Sequence, residues 1–112
     1  MAKLNLPVEF LNDYIDHIKT DYIKWWGAKV DEPVVQEMIE KFVPTFEVGS
    51  AYVKVISNNS VHSFIVNKAG KKFPLGAILK PASWSAPATN FARADLLSRE
   101  TWTGRVQWTG AL

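Results

Sequence analysis

Apolar and polar positions in the first part of the chain recur with the period of a helix. Leu11, Ile15, Ile18, Tyr22 and Trp25 or Trp26 follow one another at steps of four, three, four and three, drawing one stripe that Phe10 and Tyr14 widen. With Asn5 or Leu6 at the cap, Pro7 in the first turn and Gly27 at the stop, the spacing predicts a helix of about twenty residues and about 30 Å. Asp13, Asp16, Lys19 and Lys24 fill its solvated side. A shorter helix follows: Asp31 is the expected N-cap, Glu32 and Pro33 suit the first turn, and Val35, Met38, Ile39 and Phe42 form the apolar side. Pro44 ends it.

From Phe46 the period changes to two, because Ala51, Val53 and Val55 alternate with Tyr52, Lys54 and Ile56 in a strand-forming run. Asn58, Asn59 and Ser60 turn the chain, Val61 to Asn67 returns, Lys68 to Lys72 (KAGKK) makes a second turn, and Phe73 to Lys80 reads as a third strand. The stretch Lys80 to Arg93, KPASWSAPATNFAR, then breaks the pattern. Pro81 and Pro87 forbid central-strand pairing, while Ala88 to Leu97 reads as a short helix with Thr89 or Asn90 near its cap. Trp102 to Trp108 is the expected last strand. The fold class read from this order is α+β in one domain, residues 1–112. Two N-terminal helices (about 5–43) pack on four antiparallel strands (about 46–112), as a meander or a small, partly open SH3-like or OB-like barrel.

Charge adds an asymmetry that the net value of +2 hides. Residues 1–47 hold five lysines against nine acids, and residues 48–112 hold eight Lys/Arg against two acids. Two readings fit: acidic helices lying on a basic sheet, or a basic face for an anionic partner. The chain has no cysteine, which excludes disulfides, zinc–thiolate sites and thiol nucleophiles. Its two histidines, His17 and His62, have no ligand spacing, so neither metal nor cofactor is expected. The N-terminal residues form no continuous apolar run, and a soluble, cytoplasmic protein with no membrane segment is the expectation.

Catalytic patterns are sparse. His62 directly precedes Ser63 on an expected strand, and strand neighbours point to opposite faces, so the two are not expected to pair as base and nucleophile. No GxSxG elbow surrounds any serine, and KAGKKF lacks the spacing of a P-loop. Glu37 and Glu40 read as solvated surface. An enzyme is not expected. The candidate ligand-binding residues are Lys80, Trp84, Asn90 and Arg93: Trp84 as a stacking platform, Lys80 and Arg93 for phosphate, Asn90 for a base edge. The matching partner is single-stranded nucleic acid or a nucleotide. The competing reading makes Trp84 and Phe91 a plug for the open end of the sheet, with the basic turn Lys68, Lys71 and Lys72 as a solvated loop tip. A further alternative is a protein-interaction role, because consecutive Trp25 and Trp26 cannot share the centre of one helix stripe, and the spare ring either packs beneath the sheet or anchors a partner or a homodimer.

Gly76, Ile78, Leu79, Lys80, Ser83, Trp84, Pro87, Ala88, Ala92, Arg93, Trp108, Thr109 and Gly110 form a pattern over the C-terminal half. In it the chain resembles a group of small, poorly characterised proteins of tailed bacteriophages. Ala77 stands where that pattern has an acid, and Ala94 and Asp95 where it has Gly and Asn, so a ligand role for the loop after Arg93 does not carry over. The resemblance implies a viral source, a host-cell cytoplasmic setting and a host or phage protein as an alternative partner. It brings no catalytic residues.

Overall fold

Helix α1 covers Val8–Trp26, and Pro7 rather than Asn5 or Leu6 precedes it as the cap. The structure, a computed structural model, describes residues 2–111. Leu11, Tyr14, Ile18 and Tyr22 are the buried stripe of α1, and Gly27 at φ 56° ends the helix. Helix α2, Pro33–Lys41, starts after Glu32, one residue later than expected, with Pro33 in the first turn. It buries Val35 and Ile39 and leaves Met38 exposed. Lys19 of α1 donates to the Ile39 and Phe42 carbonyls, so a cation from one helix satisfies the free carbonyl end of the other.

Five antiparallel strands follow in the order β1-β2-β3-β4-β5, an open meander with β1 and β5 at its edges, where four strands or a partly closed barrel were expected. They are β1 Thr45–Val48, β2 Tyr52–Ser57, β3 Ser60–Val66, β4 Ala77–Leu79 and β5 Ala94–Asp95. The run from Phe46 that reads as one strand is two, because a tight turn reverses it: the Gly49 amide donates to the Tyr52 carbonyl at 2.9 Å. A Cβ at Gly49 would lie 2.8 Å from that same oxygen, which accounts for glycine there. Asn58 and Asn59, at φ 51° and 62°, make the β2–β3 turn as their residue types predict.

Three departures from the expected pattern follow Phe73. Strand β4 is shorter than expected, since Pro74 donates no bond and Gly76 turns at φ 94°. The exposed edge of β4 then captures the segment read as a helix: Arg93 donates to the Ile78 carbonyl at 2.7 Å and Leu96 to the Gly76 carbonyl at 2.8 Å, drawing Ala94 and Asp95 into β5. The expected last strand begins instead with a single helical turn, α3 Arg99–Trp102, and continues as a separate hairpin of β6 Val106–Gln107 and β7 Gly110–Ala111. Trp102 is buried and its indole donates to the Leu96 carbonyl at 3.1 Å. Among the described residues no helix is long and apolar enough to cross a membrane.

Two apolar layers flank the sheet. On one face Val53, Val55, Ile65 and Ile78 meet the buried stripes of α1 and α2, Leu96 and Trp102. On the other, Phe64, Val66, Ala77 and Leu79 are joined by Tyr52, Val61 and Phe73. Strand β3 is therefore buried on both faces, and at its end Asn67 has no exposed surface. Its side-chain oxygen accepts from the Asn5 amide at 2.8 Å, and its nitrogen donates to Lys3 at 2.8 Å and Gly49 at 2.9 Å. One amide thus ties the N-terminal segment and the β1–β2 turn to β3.

Replacing Asn67 with Ala leaves those backbone groups short of partners and is expected to cost about 2–5 kcal/mol in urea unfolding. Asn67→Asp sets a carboxylate against two carbonyls. It should be the more damaging change at neutral pH and recover in part on acidification; equal loss for both variants at every pH would refute this account.

Candidate anion-binding face

Alternation along β2 sends Val53 and Val55 toward α1 and Tyr52 and Lys54 to the opposite face of the sheet. The connection from β3 to β4 and the loop from Lys80 to Arg93 both fold over that second face. A cavity of about 310 Å³ opens between them, and Tyr52, Phe73, Lys68, Lys71, Lys72 and Thr89 are among the residues that line it. Next to it, sharing Ala51 and Tyr52, lies a second cavity of about 300 Å³ that includes Lys54, Phe64, Ser85 and the acid Glu47. Two aromatic rings and three lysines converge on the first cavity. Among the described residues the ion pairs are Lys41–Glu37 and Arg99–Asp13, so none of these lysines is neutralised by a carboxylate within bonding distance.

The loop itself is a closed hairpin. Ala88 donates to the Lys80 carbonyl at 2.7 Å, Pro81 bridges to Pro87, and Ala82 and Ser83 both donate to the Ala86 carbonyl. Trp84 stands at its apex, 53% exposed, with the Lys54 ammonium 4.5 Å from the centre of its ring. It is therefore not the core plug that one reading of the sequence allowed. Phe91 is equally exposed, and the Arg93 guanidinium stacks on it at 3.8 Å. Arg93 is half-buried, with its Nε enclosed and unpartnered.

No cavity described among the described residues gathers the four candidate residues together. Trp84 lines a cavity of about 300 Å³ with Asn59, Ser60, Val61, Pro81 and Ser83, and Lys80, Asn90 and Arg93 stand outside that cavity. Lys80 is half-buried and Asn90 exposed on the loop. The groups that do converge, Tyr52, Phe73 and the KAGKK lysines, include three that read as a solvated loop tip. A signal for them was present in the sequence: three lysines within five residues abut Phe73, and Tyr52 sits across the β2–β3 ladder from Val66, beside that turn.

On the opposite side of β3 the structure corrects a second expectation. The ladder pairs Val55 with Ser63 but Ile56 with Val61, leaving His62 as an extra, bulged residue. A bulge cancels the strict alternation of the strand, and His62 and Ser63 come together, with Nδ1 and Oγ 2.9 Å apart. His62 Nε2 lies 2.6 Å from the Gln107 carbonyl, which can only accept, so Nε2 carries the proton and Nδ1 accepts from the Ser63 hydroxyl. Ser63 in turn accepts from the Tyr14 hydroxyl at 2.9 Å. Burial holds the Tyr14 phenol above its ordinary value, so it remains a donor. Ser63 and Tyr14 have no exposed surface, and in this conformation the relay positions β6 against β3. His17 adds a contact at 2.8 Å to the neighbouring Val106 carbonyl, so both histidines of the chain hold consecutive carbonyls of β6.

Burial also pushes the His62 imidazole below its ordinary 6.5, with the bond to Gln107 opposing that shift and His17 reinforcing it. The unfolded chain therefore takes up a proton near pH 6.5 that the folded chain refuses until the pH is lower, and stability falls as the pH drops below about 6.5. Urea unfolding between about pH 8 and pH 5 should show this decline. His62→Gln should lose about 1–3 kcal/mol at neutral pH and show a shallower decline; an unchanged slope in that variant would contradict the assignment.

No curated protein and no solved structure matches the chain. One protein-family model, described as "Family of unknown function (DUF7717)", matches residues 6–112. That span takes in all three α-helices, the whole sheet and the cationic face, and the chain belongs to this family.

Proposed function

We propose that this chain is a small, non-enzymatic binding protein, of the phage type that its C-terminal half resembles, and that the cationic second face of its sheet holds an anionic ligand, nucleic acid or a nucleotide-like molecule. The observation that carries this reading is the convergence of Lys68, Lys71 and Lys72 with Tyr52 and Phe73 on one cavity of about 310 Å³. Rings supply flat apolar contact for a base, and unpaired ammonium groups supply charge for phosphate. Lys80 and Arg93 extend the positive potential along the same loop. The acidic residues are concentrated in the helical half, which leaves the field over the sheet positive.

The test is fluorescence anisotropy of labelled single-stranded oligonucleotides, with unlabelled nucleotides as competitors, over a range of salt. Binding through about three phosphate contacts gives a slope of log affinity on log salt of about −2. Changing Lys71 and Lys72 together to Glu should weaken binding at least about tenfold. Both side chains are exposed, so thermal unfolding should barely change. Absence of binding at micromolar protein and low salt would remove the reading.

One observation favours a second reading, a protein-interaction or assembly factor. Trp25 is 60% exposed at the end of α1, packed edgewise on Trp26 and beside Trp108, and Val34 and Met38 of α2 are exposed as well. Rings placed in this way anchor protein partners, including a second copy of the same chain. Sedimentation of the wild type and of Trp25→Lys would show it as a dimer that the substitution dissolves.

A further inference from the structure

Cation–aromatic pairing recurs on the second face of the sheet. Lys72 lies over Phe73 at 5.6 Å, Lys54 over Trp84 at 4.5 Å and Arg93 over Phe91 at 3.8 Å. A fourth pair, Arg99 over Phe10, is elsewhere, and its guanidinium is already committed to Asp13. The three pairs on this face have no such commitment. Their placement follows from the fold: Lys54 projects from β2 away from α1, and Phe73 follows the KAGKK turn. Arg93 immediately precedes β5, where Ala94 turns toward the core and the residue before it turns away.

The pairs are also spaced. The bond from Ala88 to Lys80 closes the base of the loop, and Trp84 stands four residues out at its apex, a reach of up to about 14 Å of extended chain. Phe91 and Arg93 lie beyond the base, and Phe73 stands with Thr89 in the lysine-lined cavity. One mononucleotide covers one such unit. A flexible polyanion with a flat group on every repeat covers several, and that is the chemistry of an unpaired nucleic-acid strand. In a duplex the base faces are stacked on one another, so they are not free to lie on Trp84 or Phe91.

Resting on the anion-binding reading of this face, we propose that its ligand is a single-stranded nucleic acid segment several nucleotides long, its bases laid on Phe73, Trp84 and Phe91 and its phosphates met by the cation beside each ring. Two acids stand on this side: Asp95, which accepts from the Leu97 amide at 3.0 Å, and Glu47, opposite Lys54 in the ladder. Neither forms an ion pair with the cations beside the rings, and Glu47 offsets part of the Lys54 charge.

The experiment is a length series at low salt. Thymidine monophosphate, oligothymidylates from about three to about twelve nucleotides and a duplex of the greatest length compete for a labelled strand. The protein is tested as wild type, Trp84→Ala and Phe91→Ala. Affinity should climb with length over the first several nucleotides and then level off, with the duplex weaker than the equivalent single strand. Each substitution should lower affinity for the long strand about 5- to 150-fold, the range set by one stacked base, and lower monophosphate binding, which any one of the three units can supply, by a smaller factor. Both rings are 53% exposed, and unaltered thermal unfolding of the variants would assign the loss to binding. If the monophosphate binds as tightly as the long strand and neither variant alters either affinity, the strand is overturned while the anion site stands. Tighter binding of the duplex also overturns the strand. Failure of every competitor and of the labelled strand to bind overturns both.

Discussion

Strand β3 lies between α1 on one side and the folded-over loops on the other, and burial on both faces obliges every polar side chain it carries to find a partner within the protein. An unpartnered buried donor or acceptor costs about 1–3 kcal/mol, a large part of the stability of a domain of this size. The partners that β3 finds are what assemble the remainder. Ser63 and His62 reach Tyr14 on α1 and Gln107 on β6, and Asn67 holds the N-terminal segment and the β1–β2 turn. The Lys3–Asn5 segment and β6, distant in sequence, are thus pinned to the central strand by directional bonds and not by apolar contact alone.

The same strand separates two chemistries. Its α1-facing side joins an apolar core with a few neutral, paired polar groups. Its other side forms, with Leu79 and Ala77, the floor beneath the cationic face. Clustered lysines repel one another, and the fold tolerates this because they sit on exposed turns where water and salt screen them. The ion pairs of the described residues lie instead on α2 and between α1 and α3. An anion arriving at the second face would therefore meet cations that are already positioned and not already paired.

Rigidity at this face comes from short devices. The Lys80–Ala88 hairpin is closed by backbone bonds and two prolines, which hold Trp84 at its apex without a packed core beneath every residue. The Lys54 ammonium over the ring replaces the apolar neighbour that a buried tryptophan would have. This arrangement keeps a large ring half-exposed and in place.

Local pattern alone determined the two helices, the asparagine turn and the α+β class. A 3.6-residue stripe or an αL-tolerant pair acts within a few residues of itself, and such effects are written wholly in the neighbouring side chains. The segment from Asp95 back to Arg93 was not legible in this way. Its residues accept either helix or strand, and the unpaired edge of β4 made the choice. His62 and Ser63 met for a related reason: the bulge that joins them is a property of how β2 and β3 register, which neither strand encodes alone. At the candidate site the residue types were visible, lysines and aromatics in the basic half, but their grouping was not. The sequence marked Lys80, Trp84, Asn90 and Arg93 because they share one loop. The tertiary structure gathered Tyr52, Phe73 and the KAGKK lysines, since two loops fold over the same sheet face and only that folding makes distant residues neighbours.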